Sequence, residues 1–224
     1  SITVSGVANA AQGVTIDGFT KDVVFNVVDD AQDVIDEMTA HSEIASAQSI
    51  TVSGVANAAQ GVTIDGFTKE VVFDVDSSAD ALATAIGGDS TLLDEAGSVT
   101  VAGGTVDVAD AAAIQGISGY VDSTASSYDI VDSASAIVGA TDAILNTGGV
   151  ATVTVSGVAT AAQGADIDAF SKDVAFNVVD DANDIAGELS GSNDQLDEAV
   201  SVTVTGGTVD ASDAAAIQGI SGYV

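Results

Sequence analysis

The chain has 224 residues, and its 34 acidic residues against three lysines and no arginine give a formal charge of −31 at neutral pH. Such a charge disfavours nucleic acid and anionic membrane surfaces as partners, because both are bound through clustered Lys and Arg. It also strains a compact fold by self-repulsion, so we expect bound divalent cations or high ionic strength to stabilise the protein.

Apolar residues form 46% of the chain, with aromatic residues at 4% and neither Trp nor Pro. The core is therefore expected to consist of small and β-branched side chains. The absence of cysteine excludes disulfides and thiolate metal sites. No run approaches the roughly 20 apolar residues of a membrane helix, so we expect no membrane insertion.

Internal repetition dominates the sequence. The segment SITVSGVANAAQGVTIDGFTK, Ser1 to Lys21, recurs unchanged as Ser49 to Lys69. Looser copies begin at Thr152, Ser98 and Ser201. The chain is therefore predicted to be a single repeat array over residues 1–224. Its repeats are 1–48, 49–97, 98–151, 152–200 and the partial repeat 201–224.

Each repeat opens with a predicted strand and a short helix. Alternation in SITVSG places Ile2 and Val4 on one face of a strand and Thr3 on the other. The following VANAAQGVTIDGF is rich in alanine and loosely periodic, which predicts a short helix weakened at Gly13.

A second strand and a longer helix follow. Residues 21–28 are apolar on both faces, which predicts a strand covered on both sides. Asp29 and Asp30 occupy the N-cap position of a helix with apolar residues at helical spacing. In the third repeat, Ser126, Ser127 or Asp129 is expected to cap a helix that contains Ile130 and Val131.

The order strand, short helix, strand, longer helix predicts an α/β protein whose tandem repeats have about 48–54 residues. Strands joined by helical crossovers run parallel, and such crossovers are right-handed. The predicted fold is therefore a right-handed α/β solenoid of parallel strands. The sequence leaves open whether one turn is half a repeat in a single sheet or a whole repeat with two sheets.

Neither end of the sequence resembles a polar solenoid cap. The chain opens on a strand without an initiator Met and closes partway through a repeat, so we expect a processed product or a segment of a longer protein. Either flanking repeats have been removed or molecules stack head to tail. The expected self-association edges are Ser1, Ile2, Thr3, Val4, Tyr223 and Val224.

The runs VTVSGVATAAQ, VDVADAAAIQGI and VVDDAQDVIDEM resemble the tandem repeats of giant acidic surface and adhesin-like proteins of marine bacteria and cyanobacteria. This resemblance covers the whole chain through composition and repeat pattern. It implies a spacer, stalk or lattice-forming segment outside the cell, and it identifies no functional residue. The calcium-binding nonapeptide pattern GGxGxDxUx is not found in the sequence; GGTVDV and GGTVDA share only its double glycine.

Catalysis has little support in the sequence. His41 is the sole histidine and is expected to be a surface residue, which leaves no histidine pair for a metal and no base for a nucleophile. We therefore expect no enzymatic activity and no required cofactor. The three lysines, Lys21, Lys69 and Lys172, recur at one position. They are expected to neutralise Asp17, Asp65 and Asp168, with a contact to a neighbouring filament or glycan as the alternative.

Four pairs of aspartates are candidates for Ca²⁺, which takes six to eight oxygen ligands. N-capping and a favourable interaction with the helix dipole are the alternative role. The pairs are Asp29 with Asp30, Asp107 with Asp110, Asp180 with Asp181, and Asp210 with Asp213.

Five threonines at equivalent strand positions predict an outward-facing row, either as ordinary strand surface or as a surface for ice or sugars. They are Thr3, Thr51, Thr100, Thr154 and Thr203. The expected function is a non-catalytic extracellular or cell-surface structural element of a prokaryote: a stalk, filament or surface layer. Its expected partners are copies of itself or flanking repeats, and divalent cations. The alternative is an adhesive module that binds glycans, ice or another cell through its exposed sheet face.

Overall fold

The computed structural model describes residues 2–41, 44, 46–190 and 195–224. The chain divides into two compact units, residues 1–103 with 112–126 and residues 104–111 with 127–224. Each unit is described by itself.

The first compact unit alternates strands and helices. Its described strands are β1 (Ile2–Ala8), β2 (Val23–Asp29), β3 (Ser49–Val52), β4 (Val71–Val72), β5 (Asp74–Ser77) and β6 (Ser98–Val106), of which Gly104–Val106 clusters with the second unit. Its described helices are α1 (Ala10–Asp17), α2 (Ala31–His41), α3 (Ala58–Asp65) and α4 (Ala79–Ile86), with a 3₁₀ turn at Ser90–Leu93. Helix α5 (Val108–Gln115) is divided between the two units at Ala111.

The second compact unit repeats this order. Its described strands are β7 (Ser127–Asp132), β8 (Val150–Val155), β9 (Val174–Ala175), β10 (Asn177–Asp180) and β11 (Ser201–Val204). Its described helices are α6 (Ala134–Gly139), α7 (Asp142–Leu145), α8 (Ala161–Asp168), α9 (Ala182–Leu189) and α10 (Ala211–Gln218).

Strands pair in parallel with the next strand along the chain. In the first unit the order is β1-β2-β3-β4, and β5 pairs with β6. In the second unit β8 lies between β7 and β9, and β10 pairs with β11. Helices connect the paired strands, so the predicted α/β class with parallel strands and helical crossovers is confirmed.

The register shows how much chain separates neighbouring paired strands. Ile50 pairs with Val71 and Asp74 pairs with Ser98, 21 and 24 residues further along. One strand plus one helix, about half a repeat, therefore brings the chain to the neighbouring strand. We call this element a coil.

Coils are of two types. A type A coil is the first strand and short helix of a repeat: β1–α1, β3–α3, β6–α5, β8–α8 and β11–α10. A type B coil is the second strand and the helix that follows: β2–α2, β4/β5–α4, β7–α6 and β9/β10–α9. In repeats 2 and 4 the second strand is interrupted at the buried residues Phe73 and Phe176.

The core lies between one face of the strands and the helices. In β2, Val23, Phe25 and Val27 are buried, whereas Val24 is 39% exposed and its equivalent Val72 is 55% exposed. The prediction of a strand covered on both sides is therefore wrong. A strand that is apolar on both faces does not reveal whether helices cover one face or two.

The third repeat departs from the sequence prediction. Ile130 and Val131 lie in strand β7, and the helix begins only at Ala134, after Ser133. Ser133 Oγ accepts a hydrogen bond from Ala136 N at 3.3 Å. Tyr128 and Ile130 are buried at alternate positions, which is the period of a strand. The predicted helix there is wrong because a short apolar run fits both periods.

The short helices form where predicted and share a capping box. The side chains of Asn9, Asn57 and Thr160 each accept a hydrogen bond from the backbone amide of the glutamine three residues later. The side chain of that glutamine in turn accepts a hydrogen bond from the backbone amide of the N-cap residue. Each of these helices also contains a buried glycine, at Gly13, Gly61 and Gly164.

These glycines let each short helix approach the adjacent strand and the chain that follows. A Cβ placed on Gly61 would lie 2.8 Å from Val75 Cγ2, and one on Gly164 would lie 2.8 Å from Leu196 Cδ2. The residue that weakens the predicted helix is therefore the residue on which its packing depends.

Candidate functional site

Aspartates at the ends of type B strands join successive coils. Asp180 Oδ2 accepts from Ala161 N of helix α8 at 2.9 Å, and its Oδ1 accepts from Asp181 N at 2.9 Å. Asp29 makes the same two bonds, to Ala10 N at 2.9 Å and to Asp30 N at 3.0 Å. One carboxylate thus caps the short helix of the preceding coil and orders the start of its own helix.

Asp132 occupies the equivalent position in the third repeat. Its Oδ2 accepts from Val108 N at 3.1 Å and its Oδ1 from Ser133 N at 2.7 Å. The same bridging geometry therefore occurs in both compact units.

The other aspartates of the predicted calcium pairs lie at helix N-termini. In each pair, one aspartate side chain accepts a hydrogen bond from the backbone amide of the residue three positions later. The bonds are Asp33 N to Asp30 at 2.9 Å, Asp110 N to Asp107 at 2.8 Å, Asp184 N to Asp181 at 3.1 Å, and Asp213 N to Asp210 at 3.0 Å. Capping is therefore a role that all four pairs perform through at least one member.

Among the residues that the structure describes, one group of carboxylates is close enough to share a cation. Oxygen atoms of Asp29, Asp30 and Asp33 lie within 4.8 Å of one another. The negative charges of Asp30 and then Asp29 raise the pKa of Asp33. Sequence reasoning identified Asp29 and Asp30 but missed Asp33, which one helical turn brings back to the N-cap.

Calcium is expected to act on this acidic group. We expect millimolar CaCl₂ to raise the thermal unfolding midpoint above its value in EDTA, because a divalent cation offsets the mutual repulsion of the three carboxylates. Asp33→Asn should raise the midpoint in EDTA and reduce the calcium effect, whereas Asp166→Asn, at an exposed helix position, should leave that effect unchanged. Equal midpoints in calcium and EDTA for the unaltered chain would contradict this expectation.

Within each compact unit, side-chain hydrogen bonds form a row across the outer face of the strands. In each case a hydroxyl at the start of a type A strand donates to an Asn or Asp in the preceding type B strand. The pairs are Ser49 with Asn26 at 2.9 Å, Ser98 with Asp74 at 2.7 Å, Thr152 with Asp129 at 2.5 Å, and Ser201 with Asn177 at 2.7 Å. Sequence reasoning missed this row, although both polar positions recur in four repeats.

Carboxylates at the ends of the short helices bind the backbone at the end of the following coil. Asp65 Oδ1 accepts from Glu95 N at 3.0 Å, and Asp168 Oδ1 accepts from Glu198 N at 3.2 Å. Asp17 accepts from both the amide and the hydroxyl of Ser46. These three carboxylates were predicted to be the partners of the lysines.

Lys69 and Lys172 bind carbonyl oxygens at or just before the start of the type A strand, β3 or β8. Lys69 Nζ donates to Ala47 O at 2.7 Å, and Lys172 Nζ donates to Val150 O at 2.8 Å. Asp65 and Asp168, which the sequence predicts to be neutralised by these lysines, each accept a hydrogen bond from a backbone amide of the next coil, and the predicted neutralisation stays a prediction. Lys21 lies exposed.

His41 lies on the surface, as predicted. Its Nε2 is 3.4 Å from Glu37 Oε2, four residues earlier on α2, and half of its side chain is exposed. Its place near the end of the helix suits a cation when the ring is protonated.

The predicted self-association edges are exposed to different degrees. Ile2 is 52% exposed, Thr3 is exposed and Val4 is half-buried, while Ser1 lies outside the described residues. At the other edge, Val224 N donates to Val202 O at 3.1 Å, so the last residues pair with β11. Tyr223 is 41% exposed and Val224 is 76% exposed.

The predicted threonine row lies on the outer strand face. Thr3 is exposed, and the other members, Thr51, Thr100, Thr154 and Thr203, are half-buried. In the second unit an open groove of about 680 Å³ runs beside this face. Its lining includes Thr152, Thr154, Lys172, Asp173 and Glu198.

Burial, neighbouring charges and hydrogen bonds shift the pKa values of several carboxyl groups. Burial, and then Asp65, raise the pKa of Glu95; burial, and then Asp168, raise the pKa of Glu198. Burial also raises the pKa of Asp65 and of Asp110. The charge of Asp181 raises the pKa of Asp184. In contrast, hydrogen bonds from Thr91, Ser171 and Asp213 lower the pKa values of Asp89, Asp142 and Asp210 respectively.

Mild acidification is expected to stabilise the protein. A carboxyl whose folded pKa is raised costs stability when ionised, and this cost disappears as pH falls through the folded pKa. The carboxyls with lowered pKa values contribute stability that is lost only at lower pH. The thermal unfolding midpoint at low salt should therefore rise from pH 7 to about pH 5 and fall below about pH 4. Calorimetry across this range that showed a steady decline from pH 7 would contradict the prediction.

Among the described helices, none combines the length and the apolar character required to cross a membrane. Comparisons of the chain with protein-family models, curated proteins and solved structures give no match.

Proposed function

We propose that this chain is a non-catalytic structural repeat protein that forms part of a stalk, filament or surface layer outside a prokaryotic cell. The observation that supports this function most is the recurrence of the same coil-to-coil hydrogen bonds. Asp29 and Asp180, in different compact units, each accept from the first amide of the short helix in the preceding coil at 2.9 Å. The same hydrogen bond thus recurs along the chain and attaches one coil to the next.

In this proposal, each compact unit is a stretch of right-handed α/β solenoid with one coil per turn. The short sequence separation between paired strands and the right-handed rule for parallel crossovers support this architecture. A stack of coils grows by adding further coils, either from flanking repeats or from another copy of the chain placed head to tail. The resemblance to giant acidic surface proteins agrees with such a role.

The acidic surface would supply hydration, repulsion from other anions and cation-dependent association. A formal charge of −31 keeps separate molecules apart at low salt, and divalent cations reduce that repulsion. Calcium is therefore proposed as a ligand of the surface and not as a catalytic cofactor.

Negative-stain microscopy of the purified chain tests the structural function. We expect fibres or sheets when millimolar CaCl₂ is added and their dispersal in EDTA. Single particles both in CaCl₂ and in EDTA would contradict the proposal, provided that the protein concentration reaches that of a surface layer.

An adhesive module is the second candidate, and the groove in the second unit favours it. The groove offers hydroxyls, an ammonium group and a carboxylate along one open face, from Thr152, Thr154, Lys172 and Glu198. A saturable signal on a glycan array that is lost in Thr154→Val, while the chain stays monodisperse, would support adhesion over structure. Thr100→Val, at the equivalent strand position in the first unit, is the matched control.

A further inference from the structure

The outer side of the first coil is apolar and exposed, although the same sequence is covered in its copy. Ile2 is 52% exposed and Phe19 58% exposed. Their copies Ile50 and Phe67 are fully buried and half-buried. We define the β1–α1 face by the residues Ile2, Val4, Gln12, Ile16, Phe19 and Lys21.

The remaining residues of this face show the same difference. Ile16 and Val4 are half-buried, whereas Ile64 is 1% and Val52 6% exposed. Because residues 1–21 and 49–69 are identical, side-chain chemistry cannot explain the contrast. What differs is the coil that precedes each copy.

In the second copy of this sequence, residues 49–69, a type B coil covers the equivalent apolar residues. Strand β2 lies in register beside β3, with Val27 opposite Ile50, and helix α2 packs against α3. In the second unit the type B helix α6 packs against α8 in the same way. The equivalent residues of α8 and β8, Ile167 and Val153, are fully buried.

Polar contacts fix the position of the type B coil. The glutamine of the capping box donates across to the type B helix: Gln60 Nε2 to Gln32 Oε1 at 3.3 Å, and Gln163 Nε2 to Ser135 Oγ at 2.9 Å. Lys69 donates to Ala47 O, which lies between the type B helix α2 and strand β3, and Lys172 donates to Val150 O at the start of β8. Gln12 and Lys21 place the same two donors on the β1–α1 face, where both side chains are exposed.

We propose that the β1–α1 face is a docking surface for a type B coil, a strand and amphipathic helix with the chemistry of residues 22–48. Such a coil offers a buried strand valine, a polar acceptor near the helix N-terminus and a free carbonyl after the helix, matching Ile2, Gln12 and Lys21. A second copy of the chain would present β11–α10, which is a type A coil; in the described residues type A coils pack beside type B coils. The inference rests on the proposed structural function and names the partner that extends the stack.

The test adds a type B coil to the full chain. A copy of residues 22–48 is fused directly before Ser1, so that the junction reproduces the natural Gln48–Ser49 sequence. Hydrogen exchange of β1 and α1 amides is then measured by NMR in the extended and unextended chains. We expect exchange in residues 2–17 to slow by about tenfold or more on extension, approaching that of residues 50–65.

Two controls separate docking from a general effect of added length. An extension of equal length, in which the residues equivalent to Val27 and Val34 are replaced by Asp, should give no protection. In the chain with the intact extension, Gln12→Ala with Lys21→Met should lose part of the protection, while leaving residues 50–65 unchanged.

Unchanged exchange in residues 2–17 on extension would overturn the proposal. Protection of these residues in the unextended chain at rising concentration, together with a dimer in sedimentation analysis, would also overturn it, because a second copy would then be the occupant. Protection without fibres or sheets in microscopy would retain the docking surface and reject the structural function, so the two failures are distinguishable.

Discussion

Gly164→Ala should destabilise the protein even though alanine is the better helix former. A Cβ at this position would lie 2.8 Å from Leu196 Cδ2 and 2.9 Å from Val178 Cγ2, closer than side-chain carbons approach. Overpacking of this kind costs about 1–3 kcal/mol, against a gain of about 1 kcal/mol in helix propensity. We expect a net loss of up to about 2 kcal/mol in the free energy of unfolding, measured by urea denaturation.

Gly187→Ala provides the matched control. Gly187 lies within helix α9 of the same compact unit, and nothing lies within 4 Å of the Cβ that would be added. Alanine there should stabilise the protein by up to about 1 kcal/mol. If both substitutions stabilised the protein to the same extent, the close approach of α8 to the strand and to Leu196 would be wrong.

Asp180→Ala should have the second large effect. The carboxylate accepts from Ala161 N and Asp181 N, and Ala161 is fully buried. Removing an acceptor from a buried donor costs about 1–3 kcal/mol, because the amide is left without a partner and without water. We expect a loss of about 2 kcal/mol by urea denaturation, and faster hydrogen exchange in the first turns of both α8 and α9.

The control for Asp180 removes the same charge elsewhere. Asp166 is exposed on α8, so Asp166→Ala should be neutral or slightly stabilising in a chain with this excess of negative charge. Asp180→Asn, which retains one side-chain acceptor, should fall between the two. A loss confined to α9, with α8 unaffected, would show that Asp180 does not join two coils.

Much of the fold follows from local patterns in the sequence. In the copies of the first strand, alternation predicted a core face formed by Ile50, Val52, Val99, Val101, Val153, Val155, Val202 and Val204; all of these are buried except Val204, which is half-buried. Acidic residues before helices predicted N-caps, which Asp30 and Asp181 form. These features depend on neighbours two to four residues away, which the sequence displays directly.

Apart from Asp33, the features that sequence reasoning missed depend on the register between coils. The bond from Ser49 to Asn26, the bond from Lys69 to Ala47 and the contact that requires Gly61 join residues 14 to 23 positions apart. Their partners can be assigned only when the sequence separation between neighbouring strands is known, and the repeat pattern alone allowed two separations.

The first repeat shows most clearly that neighbours determine burial. Ile2 and Ile50 belong to identical sequences, and both were predicted to face the core. Ile50 is fully buried between β2 and β4, whereas Ile2 in β1 pairs with β2 alone and is 52% exposed. The prediction for Ile2 is therefore wrong because its strand lies at the edge of the described sheet.

Hydrogen exchange on the two identical copies tests most directly whether stacking of coils, and not local sequence, orders this protein. Both copies have the same intrinsic exchange rates except near their ends, so any difference reports their surroundings. Stacking predicts that amides of residues 50–52 and 58–65 exchange at least about tenfold more slowly than those of residues 2–4 and 10–17 in the unextended chain. Equal protection of the two copies would contradict the account.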